Sequence, residues 1–380
     1  MADVRALQGI RYDPARVGDL SSVVAPPYDV IPEADLPRYR ALSPYNVIRL
    51  TRPGSDYGSS ATAFEQWMRE GVLKPDPPSM YVHEVEFGGR RRRDLIAALR
   101  LQPYEDRVVL PHERTHRGPK EDRLALMRAT GATFEPLWFT YEGDGTLGGM
   151  IAEAVAGPPA IFFNGPEGTH HRLWVLSDPL FHTAVGRAFA PLPVLIADGH
   201  HRYETALAYA QEVGGEADSA SRFTLALLTD MSDPGLEVLP THRVLKAGVA
   251  VTGGKDAASL DEMLAALPGQ VAAGTYRDGR FQVLPLEGEV VVAELHEQVI
   301  DNILGKRNPE ELLMYTRDAA EAVRWVDEGA ATAFFLGPPN LHEVLRLAQA
   351  GKTLPQKSTY FHPKPPSGMV FHRLSRDRRL

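Results

Sequence analysis

Along the chain, apolar positions recur in two rhythms, every second residue and every third or fourth, and the two alternate in blocks. From Ser59 to Leu73, Phe64, Trp67 and Met68 follow i, i+3, i+4, with Gly71 and Pro75 closing the run, which predicts an amphipathic helix. Met80 to Phe87, then Gly88-Gly89, then Asp94 to Leu101 predict a β-hairpin, with Arg90 to Arg93 as its solvated tip. A helix is expected over 119–130 with Leu124, Leu126 and Met127 on the buried side, and strands over 134–141, 160–164 and 171–176. A helix over 179–189 leads to an apolar run, 193–197, and a second helix, 200–213; another buried strand, 222–229, ends at Asp230.

The first 55 residues are rich in turn formers, including Pro26-Pro27-Tyr28-Asp29 and Ser43-Pro44-Tyr45-Asn46, and predict loops and edge strands around short apolar runs such as 46–50. Past the middle of the chain, helices are expected near 258–266, 293–304, 317–328 and 340–350, with a strand at 332–336. The fold class is therefore α/β in the mixed α+β sense. The small-residue stretch AGVAVTGGKDA, 247–257, reads as a linker, dividing a core, 1–246, from a C-terminal α/β region, 247–380, that can pack back on it.

Composition narrows the function. A chain of 380 residues with 43% hydrophobic and 24% charged residues is an ordinary globular protein of one large or two smaller domains. A net charge of −8 offers no electrostatic footprint for DNA, RNA or anionic lipid. The absence of cysteine removes disulfides, thiolate zinc sites, iron-sulfur clusters and cysteine nucleophiles. No apolar run reaches signal-peptide or membrane-span length, so a cytoplasmic, unanchored protein is expected. Oligomeric state is not legible.

The strongest chemical signal is Val194-Leu195-Ile196-Ala197-Asp198-Gly199-His200-His201-Arg202, an apolar strand turning at one glycine into a helix. Helix N-terminal N–H groups carry partial positive charge, and His200, His201 and Arg202 add donors suited to phosphate oxygens. Asp198 can hold a divalent metal or accept a proton. The alternative is a capped helix with a satisfied buried histidine pair.

A second signal is PHERTHRGPKEDRLALMR, 111–128. His112-Glu113-Arg114-Thr115-His116 matches the HExxH zinc pattern, but Pro111 before it and Gly118-Pro119 after it deny the long helix that zinc binding needs. What remains is a polar loop with Glu113, Thr115, His116 and Lys120 ahead of a helix bearing Asp122 and Arg123, either a substrate or phosphate loop or a solvated loop with ion pairs. Weaker phosphate-donor candidates are Thr241-His242-Arg243, and Lys357 to Tyr360 with Lys364, each also readable as a surface turn. His170-His171 and Arg90 to Arg93 receive no role. Walker, GxGxxG, GxSxG and kinase signatures are missing from the sequence.

The segments APPYDVI (25–31), PHERT and KEDRLALMRATGA (111–115, 120–132), ADGHHRYETAL (197–207), LPTHRVLK (239–246) and PQKSTYFHPK (355–364) together resemble the prokaryotic family catalogued as domain of unknown function 1015, over nearly the whole chain. Glu113 and Thr115 belong to its pattern; His116 often does not. More locally, the strand-Asp-Gly-His-His-Arg-helix box is similar to the phosphate box of the ParB/sulfiredoxin-like fold, which includes CTP-hydrolysing ParB, ATP-dependent sulfiredoxin and the free-serine kinases. This resemblance implies a nucleotide site at Asp198 to Arg202. Sulfiredoxin chemistry requires a cysteine, and ParB function a DNA-binding helix-turn-helix that the sequence does not display; a small-molecule kinase meets neither objection.

The expected function is thus phosphoryl transfer from ATP or ADP, with Mg²⁺, to the hydroxyl of a small serine-like metabolite. Gly199, His200, His201 and Arg202 would bind phosphate, with Lys120, Arg123, Thr115, His242 and Arg243 in support. Asp198 would hold the metal or organise the phosphate side, and Glu113 would act as general base. A nucleotide or phosphometabolite sensor without catalysis, and a phosphate-ester hydrolase, are the alternatives.

Overall fold

A computed structural model describes residues 1–113, 118–247, 253–305, 307 and 309–380. The chain divides into two compact units: the described residues of 1–111, 115–236 and 363–380 form the first, and those of 112–114 and 237–362 the second.

The first unit is built on a nine-stranded mixed sheet. Its strands are β1 (Val4–Arg5), β2 (Met80–Phe87), β3 (Arg90–Arg100), β4 (Val109–Leu110), β5 (Leu137–Tyr141), β6 (Ile161–Asn164), β7 (His170–Leu176), β8 (Val194–Asp198) and β9 (Phe223–Asp230). They lie in the order β4-β8-β5-β9-β3-β2-β7-β6, with β1 beside β3. β8 runs parallel to β4 and β5 parallel to β9, while β9-β3-β2-β7-β6 are antiparallel. Side chains alternate across the sheet. One face sends Met80, Val82, Leu95, Ala97, Phe139, Ile196 and Leu228 into a core shared with Val185 and Phe189 of the helix Pro179–Phe189.

The opposite face carries a buried polar row. The indole of Trp138 donates to Thr229 Oγ1 at 2.8 Å, and the Thr229 hydroxyl donates to Asp94. Asp94 also accepts from Arg92 Nε and meets His83 Nδ1, each at 2.9 Å; His83 Nε2 lies 2.9 Å from His171 Nδ1, and His171 Nε2 lies 2.9 Å from Thr169 Oγ1. Arg92, His83 and Asp94 are fully buried. Burial pushes the Asp94 carboxyl up, but Arg92, His83 and Thr229 together bring it below its ordinary value. Burial holds His171 well below the usual histidine range, so it stays neutral.

The second unit is a six-stranded antiparallel sheet. Its strands are β10 (His242–Leu245), β11 (Lys255–Ala257), β12 (Ala272–Arg277), β13 (Arg280–Pro285), β14 (Leu313–Thr316) and β15 (Thr332–Phe335), ordered β11-β13-β12-β15-β10-β14. Val244, Met263, Tyr276, Ala322 and Phe335 share its core. A Cβ on Gly274 would stand 2.7 Å from Met263 Sδ, so glycine lets that side chain lie on the sheet. Residues 237–239 pair with 360–362, which brings the entry and exit of this unit side by side. His372 and Arg373 then pair with Thr133 and Ala132, so the C-terminal segment is built into the first unit.

Several sequence expectations change. The helix expected from Ser59 runs Tyr57–Arg69, started by the Asp56 cap. Of Arg90 to Arg93, which extend β3, Arg90 and Arg91 are exposed beside the turn as expected, but Arg92 is internal, where Asp94 neutralises it and Trp138 lies 4.2 Å beneath its guanidinium. His171 is likewise buried. The apolar run at 46–50 forms no strand but leads into the helical turn Ile48–Thr51. Of the expected linker, 248–252 lies outside the described residues, and Lys255–Ala257 is an edge strand pairing with Phe281 to Val283. Pro179–Phe189 and His200–Val213 form the helices that their periodicity predicts.

Removing one partner of a buried ion pair strands the other, at about 3–5 kcal/mol. Asp94→Ala is therefore expected to lower stability by that order, read from urea denaturation. A loss below about 1 kcal/mol would show that Arg92 finds another counter-charge.

Candidate functional site

β8 ends in an irregularity: its register against β5 shifts between Ile196 and Asp198, which turns Asp198 out of the regular ladder. Gly199 follows with φ +101°, and the helix His200–Val213, here α1, begins at once. A Cβ at Gly199 would stand 2.8 Å from Leu137 Cδ2 and 3.0 Å from Arg202 Nη2, so glycine is demanded by both backbone and space. Gly199, the N-cap residue of α1, has no side chain with which to cap it, and its carbonyl accepts from Tyr203 N. The N–H groups of the first turn have no intrahelical acceptor, so this end of a 14-residue helix presents positive potential.

Around this turn the first unit gathers charge from three distant stretches of sequence. Asp198 Oδ2 accepts from Arg202 Nη2 at 2.6 Å, and Asp198 Oδ1 meets Lys364 Nζ at 2.7 Å. Lys364 Nζ also donates to Asp29 Oδ2 at 3.1 Å. Arg202 Nη1 lies 3.5 Å from Glu135 Oε1 and donates to the Pro136 carbonyl at 3.2 Å; Ser367 Oγ donates to Glu135 Oε2 at 2.7 Å. The row Asp29, Lys364, Asp198, Arg202, Glu135 thus alternates in sign, and its side chains are 42, 12, 19, 12 and 8% exposed.

Burial by itself raises Asp198, but Lys364 and Arg202 outweigh it and carry the carboxyl down to about 2. Burial works against the charged forms of Lys364 and Arg202 too, and their carboxylate neighbours reverse it, so both stay protonated at any physiological pH. Tyr28, next to Asp29 in sequence, is raised by burial and has the Arg123 guanidinium 4.2 Å above its ring.

The other sequence-derived candidates are dispersed. Lys120 forms an ion pair with Glu204 of α1. Arg123 bonds Asp122 and the Thr51 carbonyl. Glu113, His242 and Arg243 belong to the second unit. There Glu113 Oε1 accepts from Ser358 N at 2.8 Å and Thr359 N at 3.3 Å, and Oε2 from Lys357 N at 3.2 Å. His242 is buried, accepts from Leu336 N, and is brought down to about 4 by burial and by Arg243. Arg243 has no exposed surface and donates to the carbonyls of Thr241, Gln356 and Lys357. Thr115 and His116 lie outside the described residues.

Asp29 and Glu135 were not among the residues the sequence singled out as site candidates. Asp29 stands inside the APPYDVI segment, and that segment's recurrence in the resemblance was the available signal. Glu135 follows Phe134 in a predicted strand and gave none. Lys364, weighed as a phosphate donor or a surface turn, lies largely buried between Asp29 and Asp198.

The metal expectation meets an obstacle. Among the described residues no group of three or more His, Asp or Glu is placed to hold an ion. Both oxygens of Asp198 already face cations, Arg202 on one side and Lys364 on the other. In this arrangement the donor set does not fit Mg²⁺, because an ammonium fills the place between Asp29 and Asp198 that a divalent ion would need.

The family model described as Protein of unknown function (DUF1015) matches residues 4–336. The chain belongs to this family. No curated protein matches the DUF1015 chain. Among solved structures, a free serine kinase in complex with AMP is similar at 14% identity and TM-score 0.40, over 74% of this chain and 92% of that one. A conserved hypothetical protein from Pyrococcus furiosus is similar at 15% and 0.36, over 73% and 93%; SbnI with a C-terminal truncation, from Staphylococcus aureus, at 12% and 0.39, over 73% and 87%. Likeness at these scores carries no statement about chemistry.

The Asp198 cluster has a pH signature. The folded value of about 2 lies below the ordinary 3.8, so the stabilisation is complete above about pH 4 and is lost as pH falls through 2. It amounts to about 2 kcal/mol for this one group. Asp198→Asn is expected to flatten that part of the acid limb of the stability curve, followed by urea midpoints from pH 5 to 2; an unchanged limb would place the acid sensitivity elsewhere.

Proposed function

We propose that this DUF1015 protein is a nucleotide-dependent phosphotransferase acting on the hydroxyl of a small metabolite, with nucleotide phosphates received at the Gly199 turn. The observation that carries this reading is the N-terminus of a 14-residue helix, opened by Gly199 at a strand end beside two buried, permanently charged cations, Arg202 and Lys364. His200 and His201, on the first turn, add donors to the same end. Phosphoryl transfer asks mostly for positioning and charge neutralisation, which such an arrangement supplies.

The carboxylates divide by chemistry. Asp198, down at about 2 and flanked by two cations, is a poor proton acceptor and serves to orient Lys364 and Arg202. Glu113, expected from sequence as the general base, belongs to the second unit, whereas the Gly199 turn belongs to the first. Its carboxylate accepts from three backbone N–H groups, with the His112 ring 3.7 Å away. The same full set of hydrogen bonds is what a purely structural Glu113 would show, and it is the observation that favours the second reading, a nucleotide sensor without turnover.

Two measurements decide between these. ATP, ADP, CTP and GTP, each with and without Mg²⁺, should include at least one that raises the melting temperature by several degrees, since a ligand at about 100 times its Kd adds about 2.7 kcal/mol to the native state. His201→Ala should reduce that shift; no shift with any nucleotide would remove the phosphate site. Given binding, transfer of phosphate to a serine-like acceptor, read from product formation, would identify the phosphotransferase. Binding without turnover on any hydroxyl acceptor would identify a sensor, and phosphate release without an acceptor a hydrolase.

A further inference from the structure

The alternating row at the Gly199 turn holds three carboxylates, Asp29, Asp198 and Glu135, against two cations, Lys364 and Arg202. A site with that excess of negative charge repels a phosphate unless one carboxylate withdraws. Only one is free to do so. Glu135 is 8% exposed and tied to Ser367 as well as Arg202, and Asp198 holds a cation on each oxygen. Asp29 stands at the open end of the row, 42% exposed, and its contact to Lys364 is longer than that of Asp198, 3.1 against 2.7 Å. An ion pair with one exposed member is the weaker one, so Asp29 is the partner that yields.

Resting on the phosphate reading above, we propose that Lys364 is the phosphate-neutralising residue of the site, taking the place that an Asp198-bound divalent ion would occupy, with Asp29 as a displaceable stand-in for the phosphate. The incoming anion replaces the Asp29 carboxylate on the Lys364 ammonium, while Asp198 keeps the ammonium aimed at the turn. The remaining row, Asp198 and Glu135 against Lys364 and Arg202, is then neutral. A lysine can do this because its ammonium is a compact point charge with three donors on a flexible stem, able to hold one carboxylate and exchange another ligand. Any Mg²⁺ that travels with the nucleotide is carried on the phosphates, not on Asp198.

The test is ADP binding by calorimetry and thermal shift on the full chain, in EDTA and in Mg²⁺, for wild type, Lys364→Met, Lys364→Arg and Asp29→Asn. Wild type should bind ADP in EDTA. Lys364→Met should bind at least tenfold more weakly in EDTA and recover in Mg²⁺, because Asp29 and Asp198 are then open to a metal. Asp29→Asn should bind several-fold more tightly than wild type, since the competing carboxylate is gone. Should Lys364→Met fail to fold, judged by circular dichroism, Lys364→Arg and Asp29→Asn decide: the first should stay within about threefold of wild type, the second should tighten. Wild-type binding that vanishes in EDTA, a Lys364→Met variant that binds like wild type, or an Asp29→Asn variant that binds more weakly would each overturn the assignment while leaving a nucleotide site in place. Absence of binding by wild type in both EDTA and Mg²⁺ would instead overturn the phosphate reading, and this inference with it.

Discussion

The first unit depends on one shared anion. Asp198 sits at the end of β8 and accepts Arg202 from the next helical turn and Lys364 from the far end of the chain. A buried carboxylate with a single partner would leave charge uncompensated in a low-dielectric surrounding; with two it draws both cations in and keeps itself ionised. The consequence is topological as well as electrostatic. Lys364 is placed only because residues 363–380 leave the second unit and are built into the first, where Ser367 bridges Ala25 and Phe371 bridges Ile10. That same pairing brings the 25–31 segment, with Asp29, to the end of the row.

The sheet behind this turn is stiffened in a related way. On the face bearing Trp138, Asp94 accepts from Arg92 and Thr229 and meets His83, so strands β2, β3, β5 and β9 are joined by side chains as well as by their ladders. Arg92 reaches on to the Pro363 carbonyl, the residue preceding Lys364. A buried polar network that is fully satisfied restricts the arrangements open to its neighbours. The backbone that delivers Lys364 is therefore anchored one residue before the ammonium by a guanidinium that is itself neutralised within the sheet.

The mixed fold and the site's centre were legible because local rules coincide with the tertiary outcome there. Strand periodicity, a single glycine and a strong helix specify β8, Gly199 and α1 from adjacent residues, and the αL conformation of Gly199 is what the turn requires. The rest of the row was hidden because its members are brought together by pairings spanning hundreds of residues. Asp29 and Lys364 each lie among prolines and read alone as polar turn residues; only their meeting gives them a role. Arg92 misled for the opposite reason. Four arginines after a Gly-Gly turn look solvated; strand alternation puts Arg92 and Asp94 on one face, but nothing local reveals that this face is internal. Histidine and arginine at 242 and 243 looked like phosphate donors, yet they are internal to the second unit, where the arginine solvates its charge on loop carbonyls.

Charge environment rather than residue type separates the two carboxylates first considered together. Asp198 is bound by cations on both oxygens, an arrangement that lowers its affinity for protons and fixes its neighbours. Glu113 accepts from three backbone amides, with the His112 ring 3.7 Å away. The sequence supplies both as bare acidic letters; their different surroundings come from the loop amides of 357–359 in one unit and from Lys364 and Arg202 in the other.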